Sequence, residues 1–106
     1  MISEDRVEAA VEYLRDTARQ YGQARGRALY TENALRRVKA LNMPAEGAVA
    51  ARESTAYASD AYEAALSEME NAVAEAETIR ALREAAAYTI EVWRSQNSAR
   101  KQGANL

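Results

Sequence analysis

Five glutamates recur at every seventh residue in the second half of the chain, and such a ladder of carboxylates could bind a metal ion or a basic partner. The row comprises Glu63, Glu70, Glu77, Glu84 and Glu91. Arg80 and Arg94 each follow one of these glutamates by three residues, a spacing at which side chains of one helix form ion pairs. We therefore interpret the row as a solvated helix face.

The chain of 106 residues contains neither histidine nor cysteine. Histidine is the commonest general base and metal ligand, and cysteine is required for a thiolate nucleophile. Di-metal sites of helix bundles use Glu-x-x-His pairs, so the sequence excludes them. No glycine-rich phosphate loop accompanies the carboxylates. The sequence predicts a protein that is not an enzyme, with no catalytic residue, metal ligand, cofactor or small-molecule substrate.

The stretch around the single tryptophan is a second candidate for function. Tryptophan and arginine anchor many protein interfaces, and cations beside an aromatic ring also suit nucleic acid. Alternatively, Trp93 packs in a dimer with Ile90, and the last cations complement the helix dipole. The candidate partner-binding residues are Trp93, Arg94, Arg100 and Lys101.

Charge and hydropathy limit the partners and the cellular location that the sequence predicts. The formal net charge is −2, which implies no bulk attraction to nucleic acid or to an anionic membrane. No apolar stretch approaches the roughly 20 residues of a membrane span, and the acidic start of the chain lacks the apolar region of a signal peptide. We expect a cytoplasmic protein that does not contact a membrane.

Two long helices are predicted to position these residues, because helix formers fill the chain and apolar residues recur at every seventh position. A strict seven-residue repeat keeps one face of a helix against a partner helix. On the first helix the rows are Val7, Leu14, Tyr21, Ala28 and Leu35, then Ala10, Thr17, Ala24, Thr31 and Val38. The second helix carries Tyr62, Ala65, Met69, Ala72, Ala76 and Ile79, with Leu66 and Val73 beside them.

The predicted fold is all-α: a long antiparallel, coiled-coil-like hairpin that forms a single domain over residues 1–106. Ser3 can cap helix one, which extends from about 3 to 41, and Pro44 marks a turn at about 42–45. Helix two extends from about 45 to 102. Whether it is continuous or broken near Ser54–Ser59 stays open at this point.

Centring the turn on Pro44 places Leu14 near Glu75. The N-terminal end of helix one then lies beside Ala86 of helix two. Residues 87–102 are therefore predicted to project beyond it. In this register the basic second half of helix one faces acidic residues of helix two, and the acidic start of the chain faces Arg80 and Arg83. Arg83 itself lies on the seam, where it either pairs with a glutamate or extends outward to water.

Two packed helices leave much of their apolar faces exposed, so an isolated hairpin would be only marginally stable. The sequence predicts a homodimer in which two hairpins form a four-helix bundle. The predicted seam of the hairpin or oligomer consists of Val7, Leu14, Tyr21, Leu35, Val38, Tyr62, Leu66, Met69, Val73 and Ile79.

Four stretches of the second half carry a resemblance: residues 47–53, residues 58–62, Arg83 with Ala85-Ala86, and Ile90-Glu91-Val92-Trp93-Arg94-Ser95. They resemble small helical proteins encoded by bacteriophages and prophages, which often end in a similar Ile-Glu-x-Trp-Arg stretch. The resemblance implies a bacterial host cell and a setting among genes for DNA replication and recombination. It identifies no catalytic residue.

These observations favour a non-enzymatic adaptor that binds another protein through the bundle and the Trp93 end. The alternative is a nucleic-acid-binding accessory protein that uses basic helix surfaces. Those surfaces would consist of Arg94, Arg100 and Lys101 together with Arg25, Arg27, Arg36 and Arg37. A structural component of a phage is a third hypothesis.

Overall fold

The computed structural model describes residues 1–104, and it is all-helical, as the sequence predicts. Helix α1 spans Glu4–Leu41, α2 spans Val49–Tyr57 and α3 spans Asp60–Ala104. No strand occurs within the described residues. These residues therefore form three helices where two were expected, and the additional one comes from a division of predicted helix two.

Helix α1 begins and ends at polar residues that satisfy its free backbone groups. The Ser3 side-chain oxygen accepts a hydrogen bond from the Arg6 backbone N–H at 3.3 Å, which confirms Ser3 as the cap. At the other end, the Asn42 side-chain amide donates to the Val38 carbonyl at 2.8 Å. The Ser3 bond gives the Arg6 N–H a partner that the helix cannot supply. The Asn42 side chain adds a second bond to a carbonyl that also accepts the Asn42 backbone N–H at 3.1 Å.

The connection after α1 is longer than predicted, because helix two does not begin near Ala45. Gly47 has a φ of +112°, a conformation outside the helical region that residues with a side chain rarely adopt. The Arg52 side chain also donates from Nε to the Pro44 carbonyl at 2.6 Å, which fastens the loop to the first turn of α2. The helix consequently begins only at Val49.

A second break separates α2 from α3 at Ala58 and Ser59, which resolves the question that the sequence leaves open. The Ser59 hydroxyl donates to the Ala56 carbonyl at 2.6 Å and accepts from the Tyr62 backbone N–H at 3.2 Å. One side chain thus closes α2 and caps α3. Acidic residues in the first turn of α3 complement the positive end of its dipole.

The chain forms two compact units. The first unit combines Met1–Tyr21 with the chain from Glu77 onward, and the second comprises Gly22–Ala76. Within the first unit, α1 and α3 are antiparallel, because Ile2 contacts Gln96 while Leu14 contacts Arg83. Within the second, α1 is antiparallel to α2 and α3: Lys39 pairs with Glu53, and Arg27 pairs with Glu75.

Small residues occupy all the buried positions in the described part of the chain except that of Ile79. In the first unit these positions are Ala10 and Ile79. In the second unit they are Ala24, Ala28, Thr31, Ala56, Ala72 and Ala76. No large side chain is fully buried among the described residues. Each unit therefore removes little apolar surface from water, at about 25 cal/mol for each Å².

The register differs from the one obtained by centring the turn on Pro44. That register places Leu14 beside Glu75, but the Leu14 carbonyl accepts a hydrogen bond from Arg83, eight residues further along. The seven-residue loop at 42–48 and the break at Ala58–Ser59 take up chain that the prediction assigned to a continuous helix. The start of α1 therefore lies beside a later part of α3.

We predict that Gly22→Ala and Gly26→Ala each stabilise the protein by about 0.5–1 kcal/mol, because glycine costs that much in a helix interior. Both glycines lie inside α1, and an added Cβ would meet no atom within 4 Å. Thermal and urea unfolding followed by circular dichroism measure the change. Gly47→Ala is the control and should destabilise, because its φ is +112°. A loss of stability in both helix variants would contradict this account.

Candidate interaction surfaces

The ten predicted seam residues all lie buried or half-buried. Four belong to the first unit and six to the second. Ile79 is the most buried of them, at 7% exposure. The first-unit members are Val7, Leu14, Tyr21 and Ile79, and the second-unit members are Leu35, Val38, Tyr62, Leu66, Met69 and Val73.

Arg83 forms a polar contact across the seam of the first unit. Its Nη1 atom donates to the Leu14 carbonyl at 2.7 Å and to the Thr17 hydroxyl at 2.8 Å. The guanidinium carbon also lies 5.5 Å from the centroid of the Tyr21 ring, within the range of a cation–π contact. We call this group, Arg83 with Leu14, Thr17 and Tyr21, the arginine lock.

The arginine lock matches neither of the two roles expected for Arg83. The half-buried guanidinium bonds to α1, so it does not extend outward to water, and its hydrogen-bond partners there are a carbonyl and a hydroxyl instead of a glutamate. The predicted pairing of the acidic start of the chain with Arg80 is also wrong. Arg80 contacts Glu77 and Glu84 on its own helix, which raises the pKa of the guanidinium.

The glutamate row lies on exposed helix surface. Glu77 and Glu84 both contact Arg80, and Glu91 contacts Arg94 at 3.2 Å. These pairs have the three- and four-residue spacing of ordinary helix ion pairs. Within residues 1–104, no group of three or more acidic side chains could hold a metal ion.

The predicted overhang of residues 87–102 is wrong in its larger part. The Ile2 backbone N–H donates to the Gln96 side chain at 3.0 Å, so α3 is accompanied by the start of the chain well beyond Ala86. Trp93 is half-buried as a result. The longer connection between α1 and α3 explains the difference, because it moves later residues of α3 alongside the first turns of α1.

Trp93 lines an open groove between α1 and α3 in the first unit. Val7 and Val11 form the apolar part of this groove together with the indole ring. Its remaining lining residues are acidic: Glu4, Asp5 and Glu8. We call these six residues the acidic groove.

The other candidate partner-binding residues are cations with different surroundings. Arg94 pairs with Glu91 on the exposed face of α3. Arg100 lines a small cavity with Trp93, Asn97 and the first residues of the chain. Lys101 is exposed, and no ion pair in the described part of the chain involves it. The four candidates therefore do not form one basic site.

A second groove, also in the first unit, is lined mainly by apolar atoms and small residues. Ala9 and Ala10 of α1 and Ala85 and Ala86 of α3 line it, and Leu82, 54% exposed, stands at its edge. Its remaining lining residues are Arg6, Tyr13 and Thr89. We call it the alanine groove. On each helix its residues have the spacing i, i+3, i+4, i+7, which defines one helix face.

In the second unit, acidic residues neutralise part of the predicted basic block. Arg27 Nη1 lies 3.2 Å from Glu75, and Lys39 Nζ lies 3.5 Å from Glu53. Lys39 also lies 4.8 Å from the Tyr57 ring, and the contact with that tyrosine, followed by Glu53, raises the pKa of the lysine. Arg36 and Arg37 are exposed and form no ion pair in residues 1–104.

Sequence reasoning missed both grooves, although part of the signal is present. On α1, Arg6, Ala9 and Tyr13 fall on one side of the predicted seam, next to the seam residue Ala10. Glu4, Glu8 and Val11 fall on the other side. Which residues of α3 complete each groove depends on the register, and the predicted register was wrong. The sequence therefore could not place Trp93 beside Val7 and Val11.

Comparisons with protein families, with curated proteins and with solved structures found no match to this chain. No helix among the described residues is long and apolar enough to cross a membrane. Evidence for function therefore comes from the surfaces described above.

We predict that the arginine lock couples Thr17 and Arg83 by about 1–2 kcal/mol, as expected for a half-buried hydrogen bond to a charged group. A double-mutant cycle of Thr17→Val and Arg83→Met, measured by urea unfolding, gives this coupling. Thr89→Val with Arg83→Met is the control cycle, because Thr89 bonds only to the Ala85 carbonyl of its own helix. Equal coupling in the two cycles would contradict the contact between Arg83 and Thr17.

Proposed function

We propose that this chain is a non-enzymatic helical interaction protein that associates with a second copy through the alanine groove and binds another protein. The observation that carries the proposal is the contrast between interior and surface. The buried positions hold mainly alanine, whereas large apolar side chains remain exposed. These exposed side chains include Leu29, Tyr30, Val49, Leu82 and Tyr88.

The alanine groove favours a helix as its occupant. Four alanines allow a second helix to approach closely, and Leu82 of each copy can fill the alanine groove of the other copy. A two-fold interface uses the same patch on both copies. Two helix pairs joined in this way form a four-helix bundle.

We predict that Leu82→Asp converts the protein from a dimer to a monomer, because a carboxylate at this edge cannot be buried without a partner. Sedimentation equilibrium and light scattering over a range of concentrations measure the mass. The melting temperature of the wild-type protein should rise with concentration, as it does for a dimer that unfolds to monomers.

Leu29→Asp is the matched control, because Leu29 is 56% exposed and lies outside the alanine groove in the second unit. This variant should remain a dimer. A wild-type protein that is monomeric at all concentrations would contradict self-association. Equal dissociation of both variants would contradict the choice of surface.

The setting that we propose is a phage or prophage, with a partner that acts in DNA replication or recombination inside the bacterial host cell. The support for this setting is the resemblance of residues 47–53, 58–62 and 90–95 to small helical phage and prophage proteins. A structural role in the phage particle is the weaker alternative. The two grooves of the first unit suit specific pairwise contacts, and this favours an adaptor.

Direct binding of nucleic acid is the second candidate function, and the exposed cations Arg36 and Arg37 favour it. Both lie on α1, and Arg37 lines a small pocket with Tyr30, Asn33 and Ala34. An arginine beside an exposed aromatic ring is a feature of single-strand binding surfaces. The pairs formed by Arg27 and Lys39 with glutamates count against it.

We expect no saturable binding to single- or double-stranded DNA at near-physiological salt, as measured by anisotropy of labelled oligonucleotides. Arg27 and Lys39 of this block already pair with glutamates, so few phosphates can be neutralised and counterion release is small. Saturable binding that weakens steeply with salt and is lost in the Arg36→Ser, Arg37→Ser double variant would contradict the adaptor and establish the alternative.

A further inference from the structure

We propose that the acidic groove binds a basic amphipathic helix of a protein partner. The apolar side chains of that helix pack against Trp93, Val7 and Val11. Its cations pair with the three carboxylates of the groove, which we call the acidic rim. This inference rests on the proposed role as an interaction protein and specifies the chemistry of the partner. It also moves the binding site from the basic end of α3 to the start of α1.

The apolar part of the groove can accept side chains from a partner. Val11 is 37% exposed, and both Val7 and Trp93 are half-buried, so a bound apolar side chain would cover surface that now contacts water. Tryptophan in an apolar patch with a polar rim is typical of protein interfaces. The groove belongs wholly to the first unit.

The negative charge around the groove exceeds what α1 needs for its own stability. Glu4 and Asp5 lie in the first turn, where carboxylates complement the helix dipole. Glu8 and Glu12 lie beyond that turn and stand four residues apart, a spacing at which like charges repel. Within residues 1–104 none of these four carboxylates forms an ion pair. The surplus charge therefore remains available to a cationic partner.

The length of the groove indicates a helix as the occupant. Residues 4–11 of α1 span about two helical turns, or roughly 10 Å, which matches apolar side chains at i, i+3 or i+4 and i+7 of a facing helix. Cations on the flanks of that helix would then meet the acidic rim. The same rim repels phosphates, so the groove does not suit nucleic acid or an anionic membrane surface.

The test is a titration with a helical peptide of leucine and lysine, without aromatic residues, followed by the emission of Trp93, the single tryptophan of the chain. We expect a saturable shift of the emission to shorter wavelength, weakened by salt. A matched peptide with glutamate in place of lysine should produce no shift. The double variant Glu8→Gln, Glu12→Gln should weaken binding about two- to tenfold, as expected for the loss of two exposed charge pairs.

The control variant is Glu63→Gln, Glu70→Gln, which changes the net charge equally at exposed positions of the second unit. It should bind the basic peptide as the wild type does. Equal weakening in both double variants, equal binding of the acidic peptide, or no response of Trp93 would overturn the proposal.

Sedimentation of the same samples separates this inference from the proposed self-association. If the protein is a dimer and does not bind the peptide, the acidic groove is not a docking site for a basic helix. The proposed self-association is then unaffected. A monomer that binds the peptide supports the groove and contradicts self-association. If Trp93 emission shifts on dilution without peptide, and the Glu8→Gln, Glu12→Gln variant dissociates, a second copy occupies the groove and the proposal is overturned.

Discussion

Alanine at the buried positions limits how much stability each unit can derive from its own interior. Helices with alanine at their contact approach closely, but each contact removes little apolar surface from water. The larger side chains consequently lie at the edges of the helix pairs, half-buried or exposed, instead of at the centre. The grooves, the exposed leucines and tyrosines and the expected second copy all follow from this constraint.

A small-residue seam also specifies alignment weakly, because one alanine fits opposite another in several registers. The arginine lock supplies the missing specificity in the first unit, since Arg83 bonds to one carbonyl and one hydroxyl of α1. A slip of one helical turn would leave a half-buried guanidinium without either acceptor. In the second unit, Arg27 forms an exposed pair with Glu75 and Lys39 forms a half-buried pair with Glu53. The exposed pair is weak, as expected for surface ion pairs.

The seven-residue repeats of the sequence mark residues that are buried or half-buried in the structure. They do not predict which residues of the facing helix each of these contacts. Burial follows from the seven-residue repeat of each helix, a local property, and the ten seam residues are all at least half-buried. The register depends on Gly47, whose positive φ delays α2, and on Ser59, which closes one helix and caps the next. A few residues at these two points shift every contact of α3, so the partner of Arg83 and the position of Trp93 could not be obtained from periodicity.

Helix α2 has a consequence for the dynamics of the chain. Nine residues are fewer than an isolated helix needs to be stable, its first turn has no side-chain cap, and Ala56 is its single buried residue. Its backbone hydrogen bonds are therefore the least protected among the three helices, and its amide hydrogens should exchange with solvent earliest. Flanked by a loop and a break, this segment can open without unwinding α1 or α3. It is accordingly the place where the fold best tolerates an insertion, such as a reporter peptide.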